Sequence, residues 1–227
     1  MIFRQLFDYE TWTYTYLLAD EDTREALLID TVKEQVERDL ALLKELGLTL
    51  KYTLETHIHA DHVTGSGTLR ARTGAKVAVS AVAGVTCADI QLTDGMELAL
   101  GNKKVRAITT PGHTNTCTSF YCEGRVFTGD VLFIRDAGRT DFQEGSPEQM
   151  FDSVTRKLFA LPPATQVFPG HDYKGQTSST IAEEIAHNPK FGGGRTLAEF
   201  RELMAAMKLG MPKKIHIAVP ANMQCGM

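Results

Sequence analysis

One stretch constrains this chain more than any other. Thr56-His57-Ile58-His59-Ala60-Asp61-His62 places three histidines and an aspartate between positions 57 and 62. A strand-like run, Tyr52 to Glu55, precedes it, and a helical pattern starts near Val63. Imidazole nitrogens and a carboxylate at the carboxyl end of a strand form a donor set suited to zinc or iron, so a metal site is the first hypothesis. The competing reading is a polar loop with accidental histidines. Three of the seven histidines in the chain fall here, which leaves that reading little room.

The same context recurs along the chain. Thr110-Pro111-Gly112-His113-Thr114 follows a strand-like run, Val105 to Thr109; Gly129-Asp130 follows Arg125 to Thr128; Pro169-Gly170-His171-Asp172 follows Gln166 to Phe168. Each time a glycine precedes the polar residue, letting the backbone turn sharply at the strand end. Strand ends are where sheets flanked by helices present functional groups. A lone Gly-Asp or Pro-Gly-His is a weak signal, but four strand ends carrying His or Asp in one chain, the His57 motif included, form a strong one.

The rest of the chain reads as two strand-rich blocks, each followed by helices. In the first, Phe3 to Phe7, Trp12 to Leu18 and Glu25 to Ile29 are strands. A helix follows with Val36, Leu40, Leu43 and Leu46 on one face and Gly47 as its stop. After the histidine motif come a helix ending near Gly74 and a short strand, Lys76 to Val79. In the second block Met96 to Leu100, Val105 to Thr110, Thr118 to Cys122 and Arg125 to Thr128 are strands, separated by Asp94-Gly95, Gly101-Asn102 and Glu123-Gly124 turn signals. Ser146 caps a helix with Pro147 in its first position, running to about Phe159. Helical patterns over Ser178 to His187 and Thr196 to Met207 precede a short terminal segment. With no repeat or linker in view, the expectation is one domain over residues 1–227, of α/β (α+β) class, with two stacked sheets and helices outside.

Composition narrows the function classes. Net charge is −4 and no basic run stands out, which argues against a nucleic-acid partner. No apolar run approaches the roughly 20 residues that span a membrane. The amino terminus has no signal-peptide core and no Arg-rich transit pattern, so a cytoplasmic protein is expected. Cys87, Cys117, Cys122 and Cys225 fit neither a zinc ribbon nor a disulfide framework, and reduced thiols are expected. Cys117 reads as a packing residue.

The residues alone allow two metals. His57, His59 and His113 can form one cluster, and Asp61, His62 and His171 another, with Asp130 between them. Spacing does not choose between one ion and two.

The series Thr56 to His62, Pro111-Gly112-His113-Thr114, Gly129-Asp130 and Gly170-His171 resembles the metallo-β-lactamase superfamily. The likeness spans nearly the whole chain and implies its αββα sandwich of two mixed sheets flanked by helices. Gly138-Arg139-Thr140-Asp141-Phe142, Pro169-Gly170-His171-Asp172-Tyr173 and Ala218-Val219-Pro220-Ala221-Asn222-Met223 resemble more narrowly the persulfide dioxygenases, the family of the ethylmalonic encephalopathy protein. That resemblance implies a single Fe(II) per chain, oxidising glutathione persulfide with O2 to sulfite and glutathione. It implies iron ligation by His57, His113 and Asp130, a two-histidine, one-carboxylate set with open positions. His59, Asp61, His62 and His171 would then orient ligands and water, or be retained from a two-metal ancestor.

On the substrate side, Arg139 is expected to pair with a glutathione carboxylate or to hold a neighbouring loop, with Asp136 or Asp141 as an internal partner. Tyr173 is expected to donate a hydrogen bond to substrate or to an iron-bound species, and Lys190 to face the glutathione end or simply be solvated. Asp172 is expected to hold the loop that carries His171. A homodimer is consistent with the family, and a sulfurtransferase partner, if used, is expected to be a separate protein. The alternative is a two-metal glutathione thioester hydrolase of the glyoxalase II type. It is disfavoured by the short tail after His171 and its Val219-Pro220-Ala221-Asn222 ending. A non-enzymatic sulfane-sulfur binding protein is the third reading.

Overall fold

The computed structural model describes residues 1–227. Strands β1 (Ile2–Asp8), β2 (Thr13–Ala19) and β3 (Glu25–Ile29) form an antiparallel meander. Helix α1 (Val36–Glu45) then crosses to β4 (Thr49–Leu54), and α2 (Ser66–Thr73) to β5 (Lys76–Ser80); β6 (Ile90–Leu92) completes a sheet in which β3 to β6 run parallel. The second sheet starts as a meander of β7 (Glu97–Leu100), β8 (Lys103–Thr109), β9 (Thr118–Cys122) and β10 (Arg125–Gly129). Helix α3 (Pro147–Asp152) leads to β11 (Gln166–Pro169), parallel to β10, and β12 (Ser179–Thr180) forms the edge. Helices α4 (Ile181–His187), α5 (Leu197–Ala206) and α6 (Ile215–Asn222) follow. Each sheet has six strands in sequence order, β1 to β6 and β12 back to β7.

The two-residue period of a strand sends alternate side chains to different layers. Every residue of β2 is buried. Tyr14, Tyr16 and Leu18 join Leu27, Ile29, Leu54, Phe120, Phe127 and Phe168 between the sheets. Leu17 and Ala19, with Ala26 and Leu28, face outward beneath Val36 and Leu43 of α1 and Leu69 of α2. On the far side, Val126 and Val167 of the second sheet meet Met150 of α3 and Phe200 and Met204 of α5. The result is four layers, helices–sheet–sheet–helices, the αββα sandwich that the sequence likeness implies. No helix is long and apolar enough to cross a membrane.

Several expectations need correction. The helix read from Ser178 begins at Ile181. Ser179 and Thr180 pair with Val167 and Gln166 as β12, because Thr180 caps α4 in an extended conformation and closes a capping box with Glu183. The helix after Ser146 is α-helical only to Asp152 and continues to Leu158 as a π-helical stretch. The terminal segment is helical despite Pro220. The expectation of reduced thiols fails for two of the four cysteines: Cys87 and Cys225 form a disulfide across 138 positions. No spacing rule relates residues so far apart; only the docking of the carboxy terminus beside β5 brings them together. Cys117 and Cys122 are free and buried, and burial pushes the Cys117 thiol up to about 12.

Phe127 lies at the centre of the inter-sheet core, fully buried, its ring 4.9 Å from that of Tyr16 and 5.5 Å from that of Phe168. Truncation there removes aromatic contacts from both sheets at once. Phe127→Ala is expected to cost about 3–5 kcal/mol, read as a lowered urea midpoint. A loss below about 1 kcal/mol, the size of an ordinary surface change, would contradict this packing.

Candidate metal centre

The parallel pairing of β10 and β11 sets Gly129 opposite Pro169, so Asp130 and His171 leave the sheet side by side. The Gly170 N–H donates to the Gly129 carbonyl at 2.8 Å, which holds the two exits together. Two glycines make room. Gly129 has φ +51°, and a Cβ there would stand 2.5 Å from Thr56 Oγ1; a Cβ on Gly170 would stand 2.5 Å from Asp130 Oδ1. The end of β4 delivers His57 from the first sheet, and the end of β8 delivers His113 from the second.

The donor atoms of His57, His113 and Asp130 lie within 4.8 Å of one another. His113 Nε2 is 3.6 Å from Asp130 Oδ2, and the His57 and His113 rings stand perpendicular at 4.9 Å. Their hydrogen bonds settle which nitrogen faces the cluster. Thr56 donates its hydroxyl to Asp30 Oδ2 at 2.8 Å, so its oxygen accepts from His57 Nδ1 at 3.0 Å. His113 Nδ1 donates to the Arg139 carbonyl at 2.7 Å, and His171 Nδ1 to the Trp12 carbonyl at 3.0 Å. A carbonyl only accepts, so in each ring Nδ1 carries the proton and the Nε2 lone pair points inward. Asp130 Oδ1 is buried with no hydrogen-bond partner. A buried carboxylate oxygen left bare is costly unless a cation meets it. The residues present therefore fit a bound metal ion.

A second group adjoins the first. His59, Asp61 and His62 also hold donor atoms within 4.8 Å of one another. His59 turns Nε2 toward Asp30 at 3.1 Å and Glu55 at 3.3 Å, and His62 Nδ1 bonds Asp61 at 2.9 Å. His59 Nδ1 and His62 Nε2 are buried without partners. His171 Nε2 lies 3.6 Å from both Asp61 and Asp130. The charges shape each group. Burial, with His59 and His113 close by, holds His57 well below its ordinary 6.5. Burial also works against charge on His59 and His171, but Asp30 and Glu55 together outweigh it for His59, and Asp130 and Asp61 with the Trp12 carbonyl for His171, so both are raised. Asp61, which burial alone would raise, is held well below 3.8 by His62 and His171.

The centre opens into a cavity of about 420 Å³. His57, Asp61, His113, Asp130 and His171 line its floor; Phe133, Ala137, Met207, Leu209 and Pro212 supply apolar wall. Tyr173 stands at the mouth, 62% exposed, its ring parallel to that of His171 at 5.9 Å. Loss of solvation at the mouth, with Asp130 and Asp61 nearby, raises its pKa. Arg139 also lines the cavity, paired with Asp141 at 2.6 and 2.8 Å, and donates to the Gly210 carbonyl at 2.6 Å and that of Leu209 at 3.4 Å. Lys190 lies behind the wall rather than on it: its ammonium meets Asp136 at 2.7 Å and the Ala137 carbonyl at 3.0 Å. Asp172 accepts from the Lys174 and Gln176 N–H groups and so shapes the loop after His171.

Sequence reasoning missed several residues of the centre. Asp30 takes the Thr56 N–H at 2.7 Å as well as the Thr56 hydroxyl and His59. It follows β3, so the rule that found Asp130, a polar residue at a strand end, also applies to it. Glu55 accepts from the hydroxyls of Thr64 and Ser66. Trp12, at φ +60°, offers the carbonyl that orients His171. Nothing local in the sequence marks those two.

The family model of the metallo-beta-lactamase superfamily matches residues 13–171. The Bos taurus mitochondrial persulfide dioxygenase ETHE1 is 45% identical, the alignment covering 100% of this chain and 89% of the bovine one. The crystal structure of ETHE1 from Myxococcus xanthus matches with a TM-score of 0.97 at 53% identity, over 100% of both chains. The hydroxyacylglutathione hydrolase of Brucella anthropi is 36% identical over 80% of this chain and 70% of its own. The chain belongs to the metallo-beta-lactamase superfamily and, within it, to the persulfide dioxygenase family.

The Asp61–His171 pair gives the metal-free protein a pH signature. A raised His171 stabilises the fold fully below its unfolded value near 6.5 and loses that contribution as pH rises through its folded value; a depressed Asp61 contributes above about 3.8 and loses it as pH falls further. The Tm gap between metal-stripped wild type and His171→Ala is therefore expected to be widest at about pH 4–6.5 and to shrink above it. Melts across that range check this. A gap that widens toward alkaline pH would contradict the assigned charges.

Proposed function

We propose that this single-domain chain is a mononuclear persulfide dioxygenase, holding one Fe(II) on His57, His113 and Asp130 and converting glutathione persulfide, O2 and water to sulfite and glutathione. The observation that carries the reading is the locked orientation of the His57 and His113 rings in a cluster with Asp130, a carboxylate whose buried Oδ1 has no hydrogen-bond partner. Two histidines and one carboxylate suit non-haem iron and leave positions for other ligands. Bound there, iron supplies the electrons that let dioxygen react with a spin-paired persulfide.

The chain's own residues do the rest. The apolar wall of Phe133, Ala137, Met207, Leu209 and Pro212 restricts water beside the reacting sulfur. Tyr173 keeps its proton, since its pKa is raised, and serves as a hydrogen-bond donor to the substrate at the cavity mouth. Arg139 holds the wall rather than meeting a carboxylate bare: its fork joins Asp141 to the Leu209–Gly210 backbone, and its own carbonyl orients His113. Lys190 supports the same wall through Asp136 and Ala137.

The unpartnered His59 Nδ1 and His62 Nε2 favour a second reading, a two-metal thioester hydrolase, and the Brucella hydrolase is among the relatives. Oxygen consumption with glutathione persulfide, alongside release of glutathione from a glutathione thioester, separates the two. The dioxygenase reading predicts oxygen uptake matched mole for mole by sulfite and no thioester turnover. Thioester cleavage without oxygen uptake would overturn it.

Arg139→Lys tests the account of the wall. A lysine cannot span Asp141 and two carbonyls with one ammonium. Losing a charge-assisted hydrogen bond worth about 1.5–3 kcal/mol should cost roughly tenfold or more in kcat/KM while metal content stays unchanged. Steady-state oxygen uptake beside metal analysis decides it, and unchanged kinetics would remove Arg139 from the cavity's working parts.

A further inference from the structure

The metal-ligand loop from His57 to Thr64 is held by a side chain more than 150 positions downstream. Asn222, 4% exposed at the end of α6, donates to the carbonyls of His59 and His62, both at 2.9 Å, and accepts the Thr64 N–H at 2.8 Å. One amide thus satisfies three backbone groups of a loop that has no regular ladder of its own. The residues after it close over the same segment. Gly67 donates to the Cys225 carbonyl at 2.8 Å, and Lys33 reaches the Gly226 carbonyl at 2.7 Å. A side chain at Gly226 would collide with the Thr64 backbone, and one at Gly67 with the Cys225 carbonyl at 2.6 Å. The Cys87–Cys225 disulfide ties this tail to the segment after β5, beside buried Val77, Val79 and Ile58.

We propose that Asn222 is a positioning residue for the metal centre and that the carboxy-terminal segment, fastened by the Cys87–Cys225 bond, is a clasp that preorganises His57 to His62. The physics is that of a ligand shell held by its surroundings. An eight-residue loop free to sample conformations loses that freedom when metal binds, whereas a loop fixed at three points has lost it on folding. Asn222 touches neither metal nor substrate. It acts through the backbone on either side of Asp61. The inference rests on a metal being held at this loop, not on which reaction follows, so the measurement is metal affinity.

The probe is Co(II), whose absorption reports both affinity, by competition with a chelator, and ligand geometry. Metal-free wild type, Asn222→Ala, Asn222→Asp and Cys87→Ser are compared, with the Tm of each metal-free protein. Asn222→Asp keeps the acceptor for Thr64 but sets an oxygen against the two carbonyls. Expected is a 10–100-fold loss of Co(II) affinity for Asn222→Ala, at least as much for Asn222→Asp, and a smaller loss for Cys87→Ser. The Co(II) spectrum of the asparagine variants should also change. Unaltered affinity and spectrum with only a lowered Tm would overturn the proposal, leaving Asn222 a stability residue. If the asparagine variants do not fold, Cys87→Ser decides alone: weakened Co(II) binding supports the clasp, and wild-type binding overturns it. Oxygen uptake plays no part in the readout, so failure of the dioxygenase reading would leave this result standing.

Discussion

The structure depends on how one end of an apolar sandwich accommodates buried polar groups. Four imidazoles, of His57, His59, His62 and His171, four carboxylates and several threonines sit with little exposure where the strands end. Each would be costly there without a partner. The partners are specific. Asp30 gathers the Thr56 N–H, the Thr56 hydroxyl and His59, and Thr56 in turn fixes the tautomer of His57. Two backbone carbonyls, of Arg139 and Trp12, do the same for His113 and His171. What remains unpaired after these commitments is a small set of atoms facing one another, among them Asp130 Oδ1, His59 Nδ1 and His62 Nε2. A metal centre is what such a remainder provides for.

That arrangement needs the two sheets in register. Parallel pairing of β10 and β11 brings Asp130 beside His171, while β4 and β8 bring His57 and His113 from opposite sheets. Gly170 lets the Asp130 carboxylate sit close against the neighbouring strand exit, and Gly129 lets the end of β10 close on Thr56. The inter-sheet aromatic core around Phe127 holds the two sheets against each other, so packing between the sheets fixes how the donor atoms from the two sheets meet. Function here rests on rigid elements, with the more exposed residues, such as Tyr173 and the Leu209–Gly210 wall, kept to the substrate side.

Much of this was legible in the sequence, for reasons that can be named. Thr118–Cys122 and Glu25–Ile29 appear as strands with the bounds read, because turn residues flank both. His57 lies at a strand end where the Thr56–His62 motif put it, His113, Asp130 and His171 lie where the Gly-His and Gly-Asp signals put them, and the four converge. Asp30 obeyed the same rule and was passed over because no glycine precedes it. β6, only three residues long, carries too few side chains for a period to show. Helix α6 was hidden by Pro220, whose missing N–H falls in the last turn. The Cys87–Cys225 bond and the hold of Asn222 on the histidine loop join residues more than a hundred positions apart, and no local pattern carries such information. Arg139 lines the cavity and Lys190 lies behind its wall, and their partners, Asp141 with Gly210 and Asp136 with Ala137, exist only in three dimensions.

The central claim is that His57, His113 and Asp130 form one complete site and that the neighbouring His59, Asp61 and His62 serve to hold it. The most direct measurement is the metal content of protein reconstituted without oxygen in excess Fe(II) and then freed of loose ions, with His57→Ala treated alongside. The account predicts about one iron per chain in the wild type and close to none in the variant, since a facial set missing one of its three ligands holds iron poorly. Two irons retained per chain, or one iron surviving the loss of His57, would contradict it.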